Sequence, residues 1–198
     1  MYAMFIHKKG KHYKIYTMKR LKLPFTIALL YCLFCFAQCK KSNTDSNGLP
    51  AATQEGKNTL GFLLNGQPWK PQGNSGTGNL DLYYDPAFQG GVFNLSAYRN
   101  ISTNNGNRQS LVMYGDSFQA AQRIILPNKN KFGFTFWDEA KHCTYDTFDS
   151  ATQIISGFFD LKKLDKMNRI FSGEFEIKFK KTGCDDLQIT QGRFDMKF

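Results

Sequence analysis

The sequence predicts an all-β domain, an antiparallel β-sandwich or flattened barrel of about eight to ten strands with at most one short helix. Three observations support this fold class. Short apolar runs that alternate with polar residues follow one another along the chain and are separated by turn residues. Residues 174–180 alternate strictly between charged and apolar side chains, which is typical of a half-buried antiparallel strand. The chain contains 19 Phe residues, and aromatic residues favour strands over helices.

Residues 59–198 form the predicted domain, and its elements follow in chain order. Asn65-Gly66 between two apolar runs predicts a tight hairpin, because both turn residues need a positive φ. Residues 116–123 are interpreted as the one short helix. The apolar positions change parity across Gly192, which predicts a β-bulge in the last strand. The other predicted strands cover residues 80–84, 92–98, 110–114, 132–136, 143–148 and 154–161.

The N-terminal residues are predicted to lie outside this domain. Residues 18–38 have a basic start and an apolar stretch too short to cross a bilayer as a helix, followed directly by Cys39. This layout is typical of a bacterial lipoprotein signal peptide that is cleaved before a lipidated cysteine. Residues 1–17 are interpreted as an extension upstream of the true start, and residues 39–58 as a flexible polar tether.

Other processing schemes compete with lipidation at Cys39. Cys32 and Cys35 also lie near the end of the leader, but cleavage there would leave apolar residues at the new N-terminus. The further alternatives are an ordinary secreted protein that is cut near Ala37 and an uncleaved membrane anchor. Cys39 is preferred because polar residues follow it at once.

The charge of the chain is concentrated in the leader. Of the 26 Lys and Arg residues, seven lie in residues 1–38, which contain no Asp or Glu. The remaining 19 basic residues accompany 16 acidic ones, so the formal charge falls from +10 to +3. A strongly basic surface is the usual mark of nucleic-acid binding, and it is not predicted here.

Two cysteines remain after the leader and Cys39 are set aside. Cys143 and Cys184 lie in a domain that is predicted to be exported, where disulfides form and persist. The sequence therefore predicts a disulfide between them. The alternative is a pair of buried free thiols, which pack as small apolar side chains.

Catalytic and metal-binding patterns are weak. His142 is the only histidine beyond the leader, and no known catalytic motif surrounds it. A zinc site needs three or four ligands that the mature residues do not supply. Acidic pairs occur at 138–139, 174 with 176, and 185–186, and a glycosidase-type pair stays open because such residues converge only in the fold. The prediction is a non-enzymatic protein without a cofactor or metal.

A binding function stays open. Tyr83, Tyr84 and Trp137 are candidates for an exposed aromatic platform of the kind that stacks on sugars, with Tyr98 and Tyr145 as further members. The alternative is that most of these side chains belong to the core of an aromatic-rich β domain.

Three segments resemble a family of small, uncharacterised Bacteroidetes-type envelope lipoproteins, a domain of unknown function. They are residues 49–69 with the Asn-Gly-Gln-Pro-Trp run, residues 164–175 with the Ser-Gly-x-Phe hairpin, and residues 189–195, Ile-Thr-Gln-Gly-Arg-Phe-Asp. The resemblance implies a β-rich envelope lipoprotein and brings no known activity or catalytic residues.

These observations predict a lipid-anchored envelope protein that acts as a non-catalytic binding or structural module, with a glycan-binding or glycan-hydrolysing lipoprotein as the alternative. Its expected partners are the membrane, through the N-terminal lipid, and a glycan or another envelope protein. Lys40-Lys41 directly after Cys39, without acidic residues, favours the periplasmic face of the outer membrane over the cell surface.

Overall fold

The computed structural model describes residues 44–74, 76, 78–101, 107–128 and 130–198. In this part of the chain eleven β-strands form two packed antiparallel sheets, and no helix is present. The predicted β-sandwich is therefore confirmed, with one strand more than expected and without closure into a barrel. The strands are β1 (Thr59–Leu64), β2 (Gln67–Trp69), β3 (Leu80–Asp85), β4 (Val92–Asn100), β5 (Arg108–Gly115), β6 (Gln122–Leu126), β7 (Phe132–Asp138), β8 (Cys143–Asp146), β9 (Thr152–Asp165), β10 (Ile170–Lys181) and β11 (Leu187–Lys197).

The two sheets divide the chain unevenly. Sheet I has six strands in the order β2-β1-β11-β10-β9-β6, and sheet II has five in the order β3-β4-β5-β7-β8. The β1–β2 hairpin turns at Asn65 and Gly66, whose φ angles are 48° and 81°. The hairpin predicted at this dipeptide is confirmed, because both residues occupy the left-handed region that the turn requires.

The bulge predicted near Gly192 is also confirmed. The register of β11 against β10 shifts between the pairs Phe175↔Gly192 and Ile177↔Ile189. The extra residue changes which side chains of β11 point inward. As a result Ile189 and Phe194 are both buried, although they lie an odd number of residues apart.

The predicted helix at residues 116–123 is wrong. Phe118 is fully buried, with its ring 4.8 Å from that of Phe93, and the chain then enters β6, which pairs with β9. Ile124 is buried whereas Ile125 is 62% exposed, so the side chains alternate with the period of a strand. The segment is not helical because its end pairs with β9 and Phe118 inserts into the core. Its polar residues offer no apolar face that would stabilise a helix.

Stacked phenylalanines fill the space between the sheets. Phe159 lies 5.3 Å from Phe93 and 5.5 Å from Phe194 between ring centroids, and Phe194 lies 5.6 Å from Phe171. Strands of both sheets contribute to this stack, and all four rings are buried. The high Phe content therefore serves the core, where large rings bury much apolar area per residue.

Residues 44–58, named here the N-terminal strap, lie against the outer face of sheet I. Leu49 in the strap is completely buried, and Asp45 forms a 2.9 Å ion pair with Arg193 of β11. Gly61 leaves room for Pro50, since a Cβ at residue 61 would lie 2.5 Å from the proline ring. The prediction of a flexible tether is therefore wrong for residues 44–58, because side chains of β11 bind a segment that is polar and aperiodic in sequence.

Asp195 of β11 holds the strap most directly. Its side chain is 1% exposed and accepts four hydrogen bonds from the strap. Burial raises the pKa of this carboxyl, but the hydrogen bonds outweigh that effect and hold the pKa below its ordinary value of 3.8. The donors are the Thr53 hydroxyl and the backbone N–H groups of Glu55, Gly56 and Lys57.

The predicted disulfide is confirmed. Cys143 and Cys184 are bonded, with a Cα–Cα distance of 6.0 Å and a sequence separation of 41. Because Cys143 begins β8 of sheet II and Cys184 precedes β11 of sheet I, the bond joins the two sheets at one end of the sandwich. Cys39 and the predicted leader lie outside the described residues, so lipidation stays a prediction.

Candidate functional site

The structure separates the predicted platform residues. Tyr83 is 57% exposed and Trp137 is 39% exposed, both on the outer face of sheet II. Tyr84 is only 7% exposed and points into the core, where its hydroxyl donates a 2.8 Å hydrogen bond to the Phe118 carbonyl. The prediction that Tyr84 belongs to the platform is therefore wrong, because successive side chains of a strand point to opposite faces.

The two further candidates are also buried. Tyr98 is 4% exposed and lies beneath the guanidinium of Arg108, which is 4.0 Å from the ring centroid. Tyr145 is 2% exposed, with its ring 6.1 Å from Phe179. Neither ring is exposed on the outer face of sheet II.

Strand register places a different set of aromatic residues together. Tyr83, Asn94, Tyr114 and Gly133 lie directly opposite one another on β3, β4, β5 and β7. Phe148 follows β8 and stacks on Tyr114 with centroids 6.1 Å apart and planes inclined by 25°. Tyr83, Tyr114 and Phe148 are named here the aromatic row. Two strand spacings, about 10 Å, separate Tyr83 from Tyr114.

Gly133 positions the ring of Tyr114. A Cβ at this glycine would lie 2.2 Å from Cζ of Tyr114, so the tyrosine ring lies over the bare backbone of β7. Burial, together with the nearby charge of Asp146, raises the pKa of the Tyr114 phenol above its ordinary value of 10. At neutral pH the hydroxyl is therefore protonated and can donate a hydrogen bond.

Asp146 positions Phe148. Its Oδ1 accepts a 2.7 Å hydrogen bond from the Phe148 N–H, and its Oδ2 accepts a 2.8 Å hydrogen bond from the Thr135 hydroxyl. These two hydrogen bonds connect the turn after β8 to Thr135 of β7 through Asp146. This turn leaves the Phe148 side chain 51% exposed beside Tyr114.

Polar groups lie between and beside the rings. Asn94 is exposed on β4 between Tyr83 and Tyr114. The Tyr83 hydroxyl lies 3.4 Å from a carboxylate oxygen of Asp85. A cavity of about 270 Å³ opens beside Tyr114 and Phe148. Its other polar lining residues are Gln89, Asp116, Asn130 and Lys131.

Trp137 shares this face but is not part of the aromatic row. It lies opposite Ser110, four residues along β7 from Gly133, a distance of about 13 Å.

The structure thus brings one of the three predicted aromatics, Tyr83, into a group with two aromatic residues that were not predicted. The outward orientation of Tyr114 could be predicted from the sequence. The apolar residues Leu111 and Met113 mark the inward-facing positions of β5, so Tyr114 faces outward. Phe148 carried no such signal because it lies in a turn.

The acidic pairs have structural partners. Asp138 accepts a 2.7 Å hydrogen bond from Gln109, and Glu139 accepts a 3.0 Å bond from the Arg108 N–H. In the other pairs, Glu174 lies 3.6 Å from Lys162 and Asp185 lies 2.6 Å from Lys141. No group of three His, Cys, Asp or Glu side chains within the described ranges is arranged to hold a metal ion.

Comparison of the chain with protein-family models, curated proteins and solved structures gave no match. The resemblance to envelope lipoproteins therefore stays a prediction. In the part of the chain that the structure covers, no helix has the length and apolar character needed to span a membrane.

Proposed function

We propose that this chain is a lipid-anchored, non-catalytic protein of the bacterial envelope that binds neutral glycans on the outer face of sheet II. The aromatic row is the observation that carries the proposal. Large exposed apolar side chains gathered on one face of a soluble domain indicate a binding surface more strongly than scattered ones do. Here two of the three rings are more than half exposed and the third is half-buried between them.

The chemistry of the aromatic row suits sugars. A pyranose ring has an apolar face of C–H groups that packs on an aromatic ring, and hydroxyl groups around its edge. On this surface Asn94, Asp85 and the Tyr114 hydroxyl supply hydrogen-bond partners next to the rings. The spacing of about 10 Å between Tyr83 and Tyr114 suits contact with alternate units of an extended glycan.

The charge of the same face favours neutral ligands. Two basic residues on or beside the outer face of sheet II, Arg108 and Lys131, are outnumbered by four acidic ones, which are Asp81, Asp85, Asp116 and Asp146. This excess of negative charge repels anionic polysaccharides and phosphorylated lipids. Neutral glycans are therefore the ligand class that we assign to the surface.

Lipidation at Cys39 would direct this face away from the bilayer. The strap lies on the outer face of sheet I, on the opposite side of the sandwich from the aromatic row. The chain from Cys39 to Thr44 has five Cα–Cα steps and spans at most about 18 Å. Sheet I is therefore expected to be the membrane-proximal sheet, with the aromatic row turned toward the surrounding glycans.

Binding to neutral hexasaccharides tests the function. Isothermal titration with cellohexaose, mannohexaose and maltohexaose is expected to show binding to at least one of them. Replacing Tyr83 and Tyr114 by alanine is expected to weaken that binding by about ten-fold or more, because each aromatic contact contributes about 0.5–1.5 kcal/mol. Gly133→Ala is expected to act in the same direction by displacing the Tyr114 ring.

Ile125→Ala, on the outer face of sheet I, is the matched control and is expected to leave the affinity unchanged. Oligogalacturonate provides the anionic comparison. The proposal is contradicted if none of the neutral sugars binds or if the anionic sugar binds more tightly. It is also contradicted if Ile125→Ala weakens binding as much as the Tyr83 and Tyr114 substitutions do.

Fractionation of cells tests the anchor. Wild-type protein is expected in the membrane pellet with acyl mass on Cys39, whereas Cys39→Ser is expected in the soluble fraction or as uncleaved precursor. Two acyl chains are needed for stable attachment, since one chain alone gives only marginal binding. Cys35→Ser is the control and is expected to behave as wild type. Mature protein that starts elsewhere and carries no lipid would exclude this form of anchorage.

A further inference from the structure

A second cavity lies at the end of the sandwich where the disulfide joins the sheets. Its volume is about 220 Å³, and we name it the end pocket. Leu64, Phe136 and Leu187 form its apolar wall, and Gln109 and Asp138 form a polar one. It lies at the opposite end of β7 from Gly133, five residues or about 16 Å away, and so does not overlap the aromatic row.

The polar wall belongs to a chain of buried hydrogen bonds. The Trp69 indole N–H donates to the Gln109 carbonyl over 3.0 Å, and the Gln109 amide donates to Asp138 Oδ2 over 2.7 Å. Arg99 Nη2 also donates to the Gln109 carbonyl, over 2.8 Å. This pattern fixes the orientation of the Gln109 amide, because its oxygen accepts and its nitrogen donates. Trp69 is fully buried, and Gln109 and Asp138 are each 6% exposed.

Asp138 is a buried carboxylate without a direct cationic partner. Among the ion pairs of the described residues none includes Asp138, and Arg99 is connected to it through the Gln109 amide. Lys141 donates its backbone N–H to Asp138 over 3.3 Å, but its ammonium group is paired with Asp185 at 2.6 Å. Arg99 and Lys141 interact electrostatically with the Asp138 carboxylate but form no direct ion pair with it, so a ligand cation in contact with Asp138 would add a charge-assisted hydrogen bond.

We propose that the end pocket binds a small primary ammonium compound with a short apolar body. The ammonium group would donate hydrogen bonds to Asp138, and the body would contact Leu64, Phe136 and Leu187. The pocket lining carries two carboxylates and one ammonium group, a net charge of −1, which an ammonium ligand neutralises and a carboxylate ligand would double. The volume of about 220 Å³ lies below the usual range of about 300–1,000 Å³ for pockets that bind drug-sized ligands, so the ligand must be small.

NMR titration with n-butylammonium chloride tests this site. The Trp69 indole N–H and the Gln109 side-chain amide are expected to shift, whereas the indole N–H of Trp137, on the outer face of sheet II, is expected to stay unchanged. The neutral isostere n-butanol and the anion butyrate serve as ligand controls and are expected to produce at least about ten-fold weaker binding. Trp137→Phe assigns the two indole signals.

Two variants test separately the charge of Asp138 and the free volume of the end pocket. Asp138→Asn keeps the shape of the side chain and is expected to weaken n-butylammonium binding by at least about ten-fold. Leu64→Trp keeps Asp138 but fills the cavity, and it is expected to abolish the shifts. Asp81→Asn, on sheet II, is expected to bind as wild type. Equal binding of n-butanol, preference for butyrate, or an unchanged Trp69 signal at the highest soluble ligand concentration would overturn the proposal. Because glycan binding is measured at a separate site with other variants, either proposal can fail alone.

Discussion

Replacing Cys143 and Cys184 together by alanine is expected to lower the free energy of unfolding by about 4 kcal/mol. The disulfide closes a loop with a sequence separation of 41, so it removes many conformations from the unfolded chain. It also ties the start of β8 in sheet II to the loop before β11 in sheet I, across an interface that non-covalent contacts otherwise hold together. For a domain of this size the change corresponds to a fall of about 8–16 °C in Tm.

Urea unfolding monitored by Trp fluorescence measures this effect. Reduced wild-type protein is expected to unfold at the same urea concentration as the double alanine variant, and the variant itself is expected to be insensitive to reductant. An oxidised wild type that is no more stable than its reduced form would show that the bond does not contribute to stability.

Asp195→Ala is expected to destabilise the protein by about 3 kcal/mol at neutral pH. The substitution removes the acceptor of four hydrogen bonds, three of which come from backbone N–H groups of the strap. Each buried N–H left without a partner costs about 1–3 kcal/mol, and release of the strap into water limits the total. Hydrogen exchange is expected to accelerate at Gly56 and Lys57, because their N–H groups lose their acceptor.

The Asp195 contribution is expected to depend on pH in a defined direction. The pKa of this carboxyl is lower in the folded protein than in the unfolded chain. Its contribution is therefore fully present above the unfolded pKa of about 3.9 and is lost as the pH falls through the folded pKa. The difference in stability between wild type and Asp195→Ala is expected to shrink at pH values below about 3.9.

Asp186→Ala is the matched control for Asp195. Its carboxylate is exposed and lies 3.9 Å from Lys180, an arrangement that contributes little to stability. This variant is expected to unfold close to wild type, with unchanged exchange in the strap. If Asp195→Ala also unfolded close to wild type at every pH, with unchanged hydrogen exchange in the strap, the strap would be held by other contacts.

Local patterns determined the strands that the sequence predicted correctly. Alternation over residues 174–180 marked β10, Asn65-Gly66 marked a hairpin, and the parity change across Gly192 marked the bulge. The helix predicted for residues 116–123 was wrong because the segment has no strong helical or strand periodicity of apolar residues. Pairing of the following residues with β9 and the insertion of Phe118 into the core decided its structure.

The sequence by itself determined the all-β fold class, the hairpin at Asn65-Gly66, the bulge and the pairing of Cys143 with Cys184. These features depend on side-chain alternation, backbone preferences of single residues, and the small number of cysteines. Only the tertiary structure decided that Tyr114 and Phe148 lie together, that the strap binds Asp195, and that Asp138 faces a cavity. Each of these contacts joins strands or loops that are distant in the chain, and strand register and sheet packing set them without leaving a local periodic signal.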